Sequence, residues 1–335
     1  PGVKEIVTSS GGTYTAGKVK VEVQPDTFIN PVTMNVNYAP SAKLNGSTWS
    51  LGPVIEVTAK NIAGDFITLL TKPVTLIWQP FNGVDLSRFK PGTFYIYSSK
   101  NGIEWTKEAE VNPFNPGEIT AAVSHFTYFA IMGERKDMTP PVTSVQLNGA
   151  KGQDNWFRSD VEMVLSATDS ADIDPSGVKY IYYKVNDGDW VLYEDKPVIL
   201  RDEKHYDISY YSSDNDGNIG DVKSVKFDID KTPPTTSINA TPNSIWPPNG
   251  EMVNVLISGE SSDDNMESII FKVIDEYGEI QPLIRQYSQE IQLEAKRNGD
   301  DKDGRQYAIK AIATDKAGNI TEATTQAVVI HDQSK

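Results

Sequence analysis

Apolar residues return at every second position in short runs along nearly the whole chain. The runs at 19–23, 33–38, 54–59, 74–78, 161–167, 208–212, 222–229, 253–257, 268–274, 307–314 and 323–330 all show this alternation. A period of two puts one side of an extended segment against a core and the other in water, so each run predicts a half-buried β-strand. Two hairpins are legible at once. Tyr180 to Val185 runs into Asn186-Asp187-Gly188-Asp189 and then Trp190 to Tyr193, and Phe94 to Tyr97 runs into Asn101-Gly102 and Trp105. Asn-Gly and Asp-Gly tolerate the left-handed backbone that tight hairpin turns require. Residues 286–297 have some helical character, but Ile291-Gln292-Leu293-Glu294-Ala295 alternates as a strand.

Short strands at regular spacing, separated by Gly, Pro, Asn and Asp, predict an all-β protein of paired antiparallel sheets. A repeated segment divides it. Asp137-Met138-Thr139-Pro140-Pro141-Val142-Thr143-Ser144-Val145 returns as Asp230-Lys231-Thr232-Pro233-Pro234-Thr235-Thr236-Ser237-Ile238, 93 residues later. That period suits one immunoglobulin-sized sandwich. Consecutive prolines fix φ and hold the preceding threonine extended, giving a short stiff connector. A second repeat, Ser213-Asp214-Asn215-Asp216-Gly217-Asn218 against Thr314-Asp315-Lys316-Ala317-Gly318-Asn319, lies between alternating runs as a hairpin turn. Together they predict three tandem Ig-like β-sandwich domains, at 1–136, 137–232 and 233–335.

Charge sharpens the division. The net charge is −15, yet residues 1–136 carry 12 basic and 11 acidic side chains, 137–232 carry 10 and 19, and 233–335 carry 9 and 16. An acidic surface disfavours nucleic acid and anionic lipid, whose binding depends on released counterions. With no cysteine in the chain, disulfides, thiolate metal sites and cysteine nucleophiles are excluded. No run of apolar residues is long enough for a membrane span. Pro1-Gly2-Val3-Lys4 has no hydrophobic signal core and reads as the interior of a longer precursor, so the chain is expected to be a monomeric fragment of it.

Particular residues extend these expectations by resemblance. Asn155-Trp156-Phe157, Asp169, Ser176-Gly177-Val178, Tyr182-Tyr183, Trp190 and the turn at 214–218 resemble Ig-like repeats of bacterial surface proteins. Ile245-Trp246-Pro247-Pro248-Asn249-Gly250, Gly304 to Tyr307 and Ala313 to Asn319 are similar to another extracellular Ig-like or HYR-like module. Gly11-Gly12-Thr13, Val23-Gln24-Pro25 with Phe28, Lys72 to Leu76, Trp105 and Ser124-His125-Phe126-Thr127 resemble ZU5-like domains. These resemblances imply an extracellular or cell-surface location, in a bacterium, and a role in adhesion, spacing or display.

Some ZU5-like domains cleave themselves within a His-Phe-Ser sequence, and His125-Phe126-Thr127 stands at the corresponding place. The resemblance implies attack of the Thr127 hydroxyl on the Phe126 carbonyl with His125 as base. Against this, Val123, His125, Thr127, Phe129 and Ile131 alternate as one ordinary final strand, and a β-branched nucleophile is harder to orient.

Calcium is the other candidate. Asp169, Asp172 and Asp174 form one carboxylate-rich stretch, and Asp214, Asp216 and Asn218 another. Hard cations take several oxygen ligands from flexible turns. Neither stretch completes an EF-hand loop, and Lys316 and Ala317 in the sister turn argue that the shared Asp-x-x-Gly-Asn element serves turn geometry. Residues 298–303 offer a third loop.

Other chemistry is sparse. His125, His205 and His331 lie far apart, and neither a phosphate-binding glycine loop nor a Gly-x-Ser-x-Gly elbow occurs. Six tryptophans are scattered through the chain and tyrosines gather at 180–183 and 210–211. A sugar platform would expose two or three rings on one face, whereas core packing would bury them singly. The expected function is therefore a non-catalytic structural or interaction segment whose partner is an extracellular protein or glycan. The alternative is an accessory glycan-binding region of a secreted polysaccharide-degrading enzyme.

Overall fold

A computed structural model describes residues 2–39, 48–79, 84–113, 117–170, 175–279 and 282–331. Strands dominate, with a single 3-10 turn at Leu86–Arg88 among the described residues. The strands form six sheets that fall in chain order into three pairs.

In the first pair, an 8-stranded sheet runs in the order Val3–Val7, Val32–Ala39, Val54–Lys60, Tyr128–Glu134, Tyr95–Ser99 and Thr106–Glu110, with Thr48–Ser50 and Phe66–Ile67 attached at its side. Facing it is a 4-stranded sheet of Ile119–His125, Leu69–Trp78, Val19–Val23 and Gly12–Ala16. The alternation does its expected work here. Val19, Val21 and Val23 point inward with Val74 and Leu76, and meet Ile55, Val57, Ile96 and Phe129 of the other sheet in one core.

The second pair joins a 3-stranded sheet (Val142–Asn148, Val161–Thr168, Val198–Leu200) to a 5-stranded one (Trp156–Phe157, Lys223–Ile229, His205–Asp214, Val178–Val185, Val191–Leu192). Tyr206 stacks on Phe227, which Phe157 meets edge-on. The third pair has Thr235–Thr241, Met252–Ser262 and Gln289–Glu294 in one sheet and Ser244–Ile245, Ile320–Val329, Arg305–Asp315 and Met266–Asp275 in the other. Each of the last two pairs contains one two-residue parallel strand, Trp156–Phe157 and Ser244–Ile245, against the strand that follows the repeated turn. The repeat in sequence is thus a repeat in topology. Residues 291–294 of the alternating run at 291–295 lie in a strand, Gln289–Glu294, and both hairpins pair antiparallel as expected.

By contacts the chain separates into two compact units. The first contains Pro1–Val142, Thr168–Lys179 and Ser213–Gly220, and the second Thr143–Ala167, Tyr180–Ser212 and Asp221–Lys335.

One strand expectation needs correction. Val123 to Ile131 is not a continuous final strand: Ile119–His125 belongs to the 4-stranded sheet and Tyr128–Glu134 to the 8-stranded sheet. The chain crosses between sheets at Phe126-Thr127, and buries Phe126 and Thr127 as it does so. Alternation survives the crossing because both flanking strands supply the same core, so periodicity alone hides it.

Candidate cation sites

The two connectors end in the same construction. Asp137 sits two residues before Thr139-Pro140, and its Oδ1 accepts the Thr139 N–H at 2.8 Å while Oδ2 accepts the Ser176 N–H at 2.9 Å. Asp169 is the first residue after the strand Val161–Thr168, and its Oδ2 accepts the Gly177 N–H at 2.7 Å. Asp214 ends the strand His205–Asp214 and receives two bonds from Asn218, from the backbone N–H at 2.8 Å and from Nδ2 at 2.6 Å. One carboxylate oxygen from each of these three aspartates lies within 4.8 Å of the other two. All three belong to the first compact unit.

The second unit repeats the plan with Asp230, Asp263 and Asp315, whose oxygens meet the same 4.8 Å limit. Asp230 Oδ1 accepts the Thr232 N–H at 3.1 Å and Oδ2 accepts Asn265 Nδ2 at 2.8 Å. Asp263 is the first residue after Met252–Ser262, and Asp315 ends Arg305–Asp315, held by Asn319 through N–H and Nδ2, each at 2.8 Å. The asparagine of each turn also reaches the connector: Asn218 Nδ2 donates to the Asp137 carbonyl at 2.9 Å, and Asn319 Nδ2 to the Asp230 carbonyl at 3.0 Å. The glycine before each asparagine takes positive φ, 93° at Gly217 and 86° at Gly318, which closes the turn. The shared turn therefore serves local geometry, as its sequence implied, and also delivers a carboxylate.

Burial makes these groups chemically unusual. Asp137, Asp214, Asp230 and Asp315 are buried, with Asp169 and Asp263 half-buried. Oδ1 of Asp169 is shut off from solvent and has no hydrogen-bond partner among the described residues. Burial, reinforced by the charges of Asp137 and Asp214, pushes the Asp169 carboxyl above the usual carboxylate range. Asp230 is raised in the same way, by burial first and then by Asp315 and Asp263. Converging buried carboxylates repel one another unless protonated or neutralised by a cation. An all-oxygen donor set fits a hard cation, and calcium accepts the irregular geometry that carboxylates, carbonyls and water provide.

The residues expected to bind calcium divide three ways. Asp169 and Asp214 come together, joined by Asp137, which the sequence reading passed over. Asp216 instead faces Lys90, with Nζ 3.0 Å from Oδ1, and its Oδ2 accepts the Asp137 N–H at 2.7 Å. Asn218 turns its amide N–H groups toward the cluster and so acts as a brace. Asp172 and Asp174 lie outside the described residues. In the loop at 298–303, Asp301 is committed locally, accepting from Tyr277 Oη and, at 2.8 Å, from the Gly304 N–H. The signal that could have found the complete triads was the aspartate two residues before Thr-Pro in both copies of the connector. Asp230 and Asp263 of the second triad also line a 270 Å³ pocket, where Glu203, Asp228 and Asp264 add acidic groups.

His125, Phe126 and Thr127 line a separate 740 Å³ trough with Glu56, Glu108 and Tyr128. The Thr127 hydroxyl donates to the Ser99 carbonyl, and no hydrogen bond among the described residues joins it to His125, whose ring rests on Phe129 at 5.4 Å. With its proton directed away from the imidazole, this hydroxyl is not set up as a nucleophile. The expected result is an uncut chain on a denaturing gel after prolonged incubation at neutral pH. Two fragments meeting at Phe126-Thr127 would show that the geometry rearranges to cleave.

No protein-family model matches the chain, and no curated protein matches it. Among solved structures, the fibronectin(III)-like modules of Clostridium thermocellum CbhA are 13% identical, covering 57% of this chain and 98% of theirs, with a TM-score of 0.30. A Ca2+-stabilised adhesin with which an Antarctic bacterium binds ice is 15% identical, covering 95% and 92%, with a TM-score of 0.28. A tetra-tandem repeat from the extending region of a large adhesion protein is 11% identical, covering 99% and 92%, with a TM-score of 0.30. Likenesses of this size carry no argument about function, and the sites above stand on their own side chains.

Proposed function

We propose that this chain is a non-catalytic segment of an extracellular, cell-surface protein, built for adhesion, spacing or display, whose connectors are clamped by calcium. In this reading the domains divide at 136/137 and 232/233, and the first retains the ZU5-like identity suggested by its motifs. Each connector leads into the loops of the sandwich that follows it, and a bound cation ties the two together.

The observation that supports the reading is the duplication. In both triads the carboxylates come from equivalent positions: the residue two before Thr-Pro-Pro, the first residue after an inner strand, and the first residue of the Asp-x-x-Gly-Asn turn. Side chains serving only to cap turns have no reason to converge within 4.8 Å twice. A partner protein or a glycan is the expected contact of such a segment.

Calorimetric titration of the cation-stripped full chain with calcium tests the clamp. Two ions per chain are expected, with Asp169→Asn abolishing one and Asp263→Asn the other. Uptake of no calcium sinks the proposal, as does uptake that both variants leave untouched.

A further inference from the structure

The aromatic residues serve two different ends. Trp78 is buried at 2% exposure, whereas Trp190 is 40% exposed and Tyr180 is 42% exposed. On the 5-stranded sheet, alternation sends Ile181, Ile208 and Tyr210 into the core and turns Tyr180, Tyr182 and Tyr211 to the opposite face. Trp190 joins them from the residue before Val191–Leu192, a strand that pairs with Val178–Val185.

These side chains form a continuous ladder of rings. Tyr180 and Tyr182 are 6.0 Å apart between centroids, Tyr182 and Tyr211 are 5.3 Å apart and nearly parallel, and Tyr211 meets Trp190 edge-on at 4.7 Å. The Lys184 ammonium stands 5.5 Å from the Trp190 ring. Leu192, directly opposite Tyr182 and 43% exposed, extends the apolar strip. Four adjoining rings on an outward sheet face leave apolar surface in water, which a soluble domain keeps small unless the surface is used.

Charge selects the occupant. Beyond the rings, the same sheet pairs Lys226 with Asp207 at 2.7 Å, and His205 Nδ1 lies 2.9 Å from Asp228 Oδ1. The four rings present no carboxylate, Lys184 stands beside them, and the chain's net charge of −15 opposes acidic polymers. A complementary ligand is uncharged, presents flat apolar faces to the rings, and carries hydroxyls for phenol, indole N–H and ammonium groups at their rims. Pyranose rings have that construction: axial C–H groups on the faces, hydroxyls around the edge. We propose that the aromatic face formed by Tyr180, Tyr182, Tyr211 and Trp190 binds a neutral polysaccharide, successive sugar rings stacking along the ladder.

This proposal is independent of the calcium clamp and stands if no cation binds. The full chain is mixed with cellulose, chitin, xylan and mannan, and the bound fraction is measured over a range of protein concentrations. Retention on at least one of them is expected. Trp190→Ala should weaken it by about tenfold, in line with the loss of one aromatic stacking surface. Tyr180→Ser, at an exposed position outside the core, should weaken it without any effect on folding. Trp190→Phe should retain binding, and Trp246→Ala, removing an exposed ring in the last sheet pair, should leave it unchanged. Failure to bind any of the four polymers overturns the proposal. So does binding that survives both Trp190→Ala and Tyr180→Ser.

Discussion

Arg305→Ala destabilises the last sandwich by about 3–5 kcal/mol, the usual cost of removing one partner from a buried ion pair. Arg305 has no exposed side-chain surface, and neither has Asp275, which it grips with Nε and Nη2 at 2.9 and 2.6 Å. Nη1 reaches Glu294 at 2.9 Å and the Lys296 carbonyl at 3.2 Å, and the guanidinium lies 4.7 and 5.0 Å from the rings of Tyr277 and Tyr307. Alanine leaves the Asp275 carboxylate buried without a cation. Burial pushes the Tyr307 phenol up to about 12, so it stays neutral beside the stranded carboxylate. Urea unfolding, followed by hydrogen exchange of amides in Arg305–Asp315, reads the loss. Arg305→Met combined with Asp275→Leu should recover most of it, because Glu279 and Glu294 are partly exposed and can turn to water. A single Arg305→Ala change that leaves the exchange midpoint unmoved would show that the network contributes nothing.

If the proposed clamps bind it, calcium should raise stability by about 2.7 kcal/mol for each site when free ion exceeds Kd by about a hundredfold. With one ion at each connector, thermal melts with calcium and with chelator should differ by about twice that energy, and Asp169→Asn with Asp263→Asn should erase the difference. The pH dependence of the chelated chain has a definite sign. Asp169 and Asp230 are raised in the folded state, so their contribution to stability is complete below the ordinary carboxylate pKa. It is lost as pH rises through the folded value. In chelator, acidification from neutrality toward that window should therefore favour folding at these two positions, whereas calcium should reverse the trend by preferring both ionised. Melts at several pH values with and without calcium distinguish the two slopes, and identical slopes would refute cation binding by these carboxylates.

Strands and turns were legible in the sequence because a half-buried sheet writes its period directly into residue order. Tyr206, Ile208 and Tyr210 alternate with exposed or half-buried neighbours in the chain as they do in space. The crossing at Phe126-Thr127 was not legible, since a change of sheet leaves the inward positions apolar on both sides. The triads were half legible. Asp169 and Asp214 announced themselves by local acidic density, but Asp137, Asp230, Asp263 and Asp315 did not. Asp137 and Asp315 sit in an ordinary connector and turn, Asp230 shares its stretch with Asp228 and Asp263 with Asp264, and only the pairing of sheets brings each to its partners. The aromatic ladder had the opposite history. The tyrosines were visible, and the parity of the strands decided which of them face outward together.

The bond from each turn asparagine to the connector carbonyl bears on how such chains are cut and recombined. The stretch from the connector aspartate to the turn asparagine, 137–218 in one copy and 230–319 in the next, closes on itself through Asn218 to Asp137 and Asn319 to Asp230. A recombinant fragment that starts at Thr139 or Thr232, where the proline pair invites a boundary, loses its own aspartate and strands that asparagine. A graft of one repeat in place of the other must likewise carry the aspartate ahead of the prolines with the segment behind it.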